Sequence, residues 1–191
     1  MILLAGSSSQ HKNRCVEKFK QSNFEVFVFD NPSSTGLPLW SNRDNGAFSD
    51  EIWKMFRKNC FDTVVYFLAF PCEEYRADIW NAINLLNAMV KYGVKNFVLS
   101  SKINIFRSRK QNVRSFKNHT IEKIIDSYSE AYDIKHIKLR HIPSEDAEKD
   151  KKKFDARAYA NNFFSEENFV DAHLLAVSKL GLKKLGKECN P

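Results

Sequence analysis

The sequence lacks several features that would assign it to a class at once. No stretch approaches the ~20 apolar residues that a membrane span requires. The longest apolar run, from Phe61 to Phe70, is interrupted by Asp62 and Thr63. The N-terminal MILLAG has no basic flank and is too short for a signal peptide. The four cysteines (Cys15, Cys60, Cys72, Cys189) are scattered and form no CxxC pair. This spacing predicts reduced thiols rather than a disulfide framework or a zinc site, and hence a cytoplasmic location. The five histidines lack metal-ligand spacing, so no metal site is expected, and no GxSxG elbow marks a serine nucleophile.

Acidic residues are missing from one long window. Between Ile79 and Ile121 there is no Asp or Glu, while Lys91, Lys95, Lys102, Arg107, Arg109, Lys110, Arg114 and Lys117 all fall there. The formal charge of +7 is concentrated in this window, and the rest of the chain is close to neutral. By contrast, EDAEKDKKK at 145–153 is a mixed charge run and reads as a solvated loop or helix face.

Apolar pattern and turn chemistry give the element order. MILLA, ending at Gly6, is an apolar run of the kind buried in parallel sheets. A helical pattern follows, with Val16 and Phe19 inward. EVFVF (25–29) is a second strand, closed by Asp30-Asn31-Pro32. Residues 32–47 carry Pro, Ser, Gly and Asn and predict a loop. Residues 49–58 predict a short helix with Ile52, Met55 and Phe56 inward, and DTVVYF (62–67) a third strand. Residues 75–91 repeat Ile79, Ile83, Leu86 and Val90 at helical spacing, and Gly93 stands where a C-cap glycine belongs. NFVL (96–99) is a fourth strand ending at Ser100-Ser101. A helix over 115–130, a fifth strand over 134–139 and a last amphipathic helix over 166–185 complete the chain. Strands alternating with helices predict an α/β fold, a doubly wound parallel sheet of about five to six strands. Ligands in such folds bind outside the carboxyl ends of the strands.

Six segments, in order, carry a resemblance. MILLAGSSSQ…EVFVFDN, FDTVVYFLAF, DIWNAINLL, GVKNFVLSSKINIF, LRHIP and NFFSEENFVDAHLLAVSK resemble successive elements of the extended short-chain dehydrogenase/reductase family. The likeness is to its UDP-glucose 4-epimerases and nucleotide-sugar dehydratases in particular. It spans nearly the whole chain, with one large deletion. The resemblance implies a Rossmann-type domain over residues 1–191, with a much reduced C-terminal substrate lobe surviving as residues 141–162. It also implies NAD as the cofactor to test, although the residues themselves leave the cofactor unassigned.

The functional positions depart from that family. Its GxxGxxG phosphate loop reads Gly6-x-x-Ser9-x-x-Lys12 here, adding bulk where a dinucleotide would lie. A lysine at position 12 is expected to displace the helix or point away. Gly6, Ser9, Asp30 and Asn31 are the remaining candidates for cofactor binding. Asp30 stands where the family's acidic residue accepts the adenosine ribose, which favours NAD over NADP there; it also reads simply as the start of a turn. The family's catalytic Ser, Tyr and Lys positions hold Lys102, Arg114 and Asn118. Neither Arg nor Asn can act as a phenolate-type base, so no catalytic residue is assigned. His173 matches a family histidine and reads as a packed structural side chain.

Lys102, Arg107, Arg109, Lys110, Arg114 and Lys117 would line the mouth of the former active site. Such a rim suits a phosphate-bearing molecule or a nucleic-acid backbone, or is simply a solvated basic loop. Four readings follow. One is a degenerate, inactive epimerase-like component of an assembly, a homodimer included. The second is a nucleotide or nucleotide-sugar sensor. The third is an active epimerase or dehydratase with relocated groups. The fourth is an RNA or nucleic-acid binder using the basic rim.

Overall fold

A computed structural model describes residues 1–6, 10–30, 42–68, 75–102, 113–141 and 166–181. The elements run β1 (Ile2–Gly6), α1 (Gln10–Gln21), β2 (Val26–Asp30), α2 (Asn42–Lys58), β3 (Thr63–Phe67), α3 (Tyr75–Tyr92), β4 (Asn96–Lys102), α4 (Val113–Tyr132), β5 (Lys135–His141) and α5 (Glu166–Lys179). The five strands form one sheet in the order β2-β1-β3-β4-β5, all parallel. This is the doubly wound arrangement that the alternation of elements predicted.

Each strand side has its own core. Alternate side chains Leu3, Ala5, Val64, Tyr66, Phe97 and Leu99 face α2, α3 and α4, and join Ile52, Met55, Phe56, Leu86 and Ile121. Ile2, Leu4, Val65, Phe67 and Val98 face the other way, towards Cys15 and Phe19 of α1 and Val170, Ala176 and Val177 of α5. The period of two along a strand makes this division automatic once the sheet is covered on both faces.

Helix ends follow local chemistry. At Gly93 (φ +72°) the chain turns out of α3, with Val94 N–H donating to Met89 O. That is the six-to-one bond of a Schellman cap, which favours glycine. Asn23 (φ 62°) and Asp133 (φ 55°) play the same part after α1 and α4.

Several boundaries differ from the sequence reading: β5 spans Lys135–His141 rather than 134–139, and the last helix, expected to reach 185, ends at Lys179. α2 begins at Asn42, inside the stretch expected to be loop. Packing of its apolar face supports helix where Asn45 and Gly46 have poor propensity. β4 continues through Ser100 and Ser101 to Lys102, because β5 pairs alongside it as far as His141. The 145–153 charge run lies outside the described residues, as do Cys72 and Cys189.

The thiols also correct an expectation. Cys15 is a buried free thiol whose pKa is pushed up to about 12 by burial. Cys60, however, is disulfide-bonded, with a partner outside the described residues. Cysteine spacing alone therefore misjudged the redox state, and it carries no weight for compartment. No described helix is long and apolar enough to cross a membrane.

Candidate functional site

The carboxyl edge of the sheet begins at Gly6. Its φ of +109° suits glycine, and a Cβ there would overlap Phe67 O and lie 2.9 Å from Phe67 C and N. The backbone of β3 thus demands a glycine at this point whether or not a phosphate binds. Retention of Gly6 is explained by strand packing alone.

Lys12 corrects the sequence reading. It lies in the first turn of α1, and it does not point away. Its side chain is fully buried, and it crosses the ends of β1 and β2. Nζ donates to Gly6 O at 3.2 Å, to Phe29 O at 3.0 Å and to Asp30 Oδ1 at 2.7 Å. Burial lowers the pKa of this ammonium, against the hydrogen bond and charge of Asp30, which raise it. The Asp30 carboxylate, half exposed, is therefore committed to an ammonium of its own chain. Ser9 and Asn31 lie outside the described residues.

A second internal pair stands on the other face. Lys117 was expected on the basic rim; it is instead buried in α4, and its Nζ meets Asp78 Oδ2 at 2.6 Å. Asp78, in the first turn of α3, is equally buried, and its backbone carbonyl accepts from Tyr66 Oη at 3.3 Å. A lysine in this setting keeps its charge only beside a carboxylate. Asp78 immediately precedes the acid-free window, which was the one sequence signal for this pairing.

Ser100 and Ser101 are buried on opposite faces of β4, and Ser101 Oγ finds no hydrogen-bond partner among the described residues. Lys102 ends β4 and Arg114 lies in the first turn of α4; their side chains are outside the described set, as are Arg107, Arg109 and Lys110 altogether. Asn118 is half-buried on α4, next to Lys117. Among the described residues no group of His, Cys, Asp or Glu could hold a metal ion.

Residues on α4 and β5 pair across the sheet edge. Arg140 donates to both oxygens of Glu122, Lys138 donates to Asp126, and His136 lies 3.3 Å from the same carboxylate. His173 is buried, as expected of a packed histidine. Nothing in the residue spacing signals that His11, His141 and His173 all pack against Phe169.

No protein-family model and no curated protein sequence matches the chain. Solved structures do resemble it. A UDP-glucose 4-epimerase from Thermotoga maritima, with UDP-glucose, has a TM-score of 0.57 at 20% identity, covering 73% of this chain and 55% of that one. An L-threonine dehydrogenase from Clostridium difficile gives 0.55 at 15%, covering 73% and 52%. A dTDP-glucose 4,6-dehydratase from Bacillus anthracis, in complex with NAD, gives 0.53 at 14%, covering 73% and 54%. The chain thus spans about half the length of the structures it matches. The fold is the Rossmann-type fold of extended short-chain dehydrogenase/reductases, the resemblance the motifs carried. At these identities the likeness defines the fold and not the activity.

Proposed function

We propose that this chain is a degenerate nucleotide-sugar epimerase-like domain, catalytically inactive, that serves as a binding or structural component of an assembly. The observation that carries this reading is the Lys12 ammonium held by Gly6 O, Phe29 O and Asp30 Oδ1. In this fold the acidic residue ending β2 binds the ribose of a dinucleotide, beside the glycine turn. Here the chain's own cation occupies that carboxylate. A dinucleotide would have to displace the buried Lys12 ammonium from the half-exposed Asp30 carboxylate before making its first contact. The proton shuttle is missing as well, with Lys102, Arg114 and Asn118 where Ser, Tyr and Lys belong. Large exposed apolar side chains, Trp80 on α3 and Leu175 on α5, are the places to seek a partner first.

The test is equilibrium binding of the purified chain to NAD, NADP, UDP-sugars and plain nucleotides, by calorimetry and thermal shift. No saturable binding up to millimolar ligand is expected. Stoichiometric NAD or UDP-sugar binding would return the reading to a nucleotide sensor.

The charge distribution favours a second reading, a nucleic-acid surface. With Lys117 committed to Asp78, it rests on Lys102, Arg107, Arg109, Lys110 and Arg114 in a window free of acid. Reversing the charge of Arg107, Arg109 and Lys110 should abolish salt-dependent retention on RNA or DNA. Equal retention of both proteins would eliminate it.

A further inference from the structure

Three of the chain's histidines meet on the sheet face that α1 and α5 cover. His11 is the second residue of α1, His141 the last of β5, and His173 lies within α5. Their shared neighbour is Phe169, whose ring centroid is 5.0 Å from that of His11, 4.7 Å from His141 and 4.2 Å from His173. The centroids of His11 and His141 are 6.4 Å apart. His173 also stacks on Phe67 of β3, at 5.3 Å and 14°. These rings therefore join α5 to α1, β3 and β5 at one point.

The tautomer of His173 follows from its contacts. Nδ1 lies 2.7 Å from Phe169 O, and a carbonyl only accepts, so Nδ1 carries the proton. Nε2 is buried and has no hydrogen-bond partner among the described residues. A second proton would create a buried cationic N–H with no acceptor, which is the costly kind of unmade bond.

Among the described residues the surrounding charges give no relief. From α1 come His11, the Lys12 ammonium directed to Asp30, the exposed Arg14, and Lys18, which pairs with Asp171 on α5 at 3.0 Å. From β5 comes His141, and that strand contains no carboxylate. β4 presents Val98 and, by alternation, Ser100. On α5 itself the acids Glu167 and Asp171 are exposed. Burial accordingly holds the His173 imidazole down at about 4, with His11 pushing the same way and the Phe169 carbonyl opposing. The Phe67 stack would favour a cation, but desolvation outweighs it.

We propose that this cluster is an acid-released latch: protonation of His173 detaches α5 from α1 and β5 and uncovers the apolar sheet face beneath. That face carries Leu4, Val65, Val98 and Ile137. The latch rests on different residues from the Lys12–Asp30 pair, so it stands or falls separately from the proposed function.

Native-state hydrogen exchange on the whole chain between pH 7.5 and 5, corrected for intrinsic amide rates, tests it. Opening of α5 should rise about tenfold or more, while α3, on the opposite face, keeps its protection. His173→Phe retains an aromatic stack but cannot ionise, and it should flatten the response of α5. Parallel loss of protection in α5 and α3, an unchanged α5, or a His173→Phe protein with the wild-type response would each overturn the proposal. If that variant does not fold, His173→Gln, which cannot ionise either, takes its place; it should flatten the response of α5, and a wild-type response would overturn the latch.

Discussion

A single side chain occupies the carboxyl ends of β1 and β2. Lys12 stands where the related fold has a glycine, and its ammonium takes the hydrogen bonds of Gly6, Phe29 and Asp30. Lys12→Gly, combined with Ser9→Gly, should therefore release Asp30 and convert undetectable NAD binding into measurable binding by calorimetry. Gly6→Ala should destabilise the chain by about 2–5 kcal/mol with no ligand present, combining overpacking against Phe67 with backbone strain. Urea denaturation measures this, and a neutral result would show that β3 yields easily. Lys117→Met removes the ammonium from the buried Asp78 carboxyl, a loss of about 3–5 kcal/mol. Adding Asp78→Leu should recover much of that loss, because both charges are then gone. None of these partnerships follows from residue identity. Lys12 finds Asp30 at a separation of 18 residues and Lys117 finds Asp78 at 39, and only packing brings each pair together.

At the scale of the element, α4 is fastened over the edge strand by charge. Glu122 binds Arg140 and Asp126 binds Lys138, with His136 adjacent. The hydrogen bond from Lys138 holds the Asp126 pKa below its ordinary value, and burial only partly opposes this. A depressed carboxylate contributes stability that is fully present above its unfolded pKa, about 4, and is lost as the pH falls through the folded value. Asp126→Asn should thus lower the urea midpoint at pH 7 but leave it nearly unchanged near pH 2. Because Asp126 is 43% exposed in its side chain, the effect at pH 7 should be about 0.2–1 kcal/mol and should shrink in high salt. The elements themselves were largely legible. Apolar runs gave β1 and β3, and helical spacing with Gly93 gave α3. The start of α2 was not, because its first residues have loop composition and become helical through the packing of Ile52, Met55 and Phe56.

For the whole molecule, two layers of helix around one parallel sheet leave the carboxyl edge as the place for ligands, and here the chain fills part of that edge itself. One buried lysine–carboxylate pair lies at the end of β1 and β2, another between α3 and α4, and a histidine cluster closes the α1–α5 face. The His173 imidazole is lowered from 6.5 to about 4, so its sign is that of a buried base. With α5 detached the His173 imidazole binds the proton more readily, so closure of α5 is at full strength above pH 6.5 and weakens as the pH drops from there towards 4. The free energy of opening α5 should decrease by about 3 kcal/mol over that interval, read from exchange of the α5 amides. His173→Phe should remove most of this dependence.

The sequence by itself determined the order and type of the elements, the parallel doubly wound sheet, the likeness to the nucleotide-sugar epimerase fold and the identity of Lys102, Arg114 and Asn118 at the positions that the resemblance aligns with the family's catalytic set. Those properties depend on periodicity, turn chemistry and residue identity, which are local. Only the tertiary structure decided what the replacement residues do. It turned Lys12 inward to Asp30, took Lys117 out of the basic rim to meet Asp78, and showed that Gly6 is required by the backbone of β3. It also gathered His11, His141 and His173 around Phe169. Each of these depends on which distant groups share a low-dielectric space. A buried charge or imidazole takes its properties from such neighbours rather than from its place in the chain.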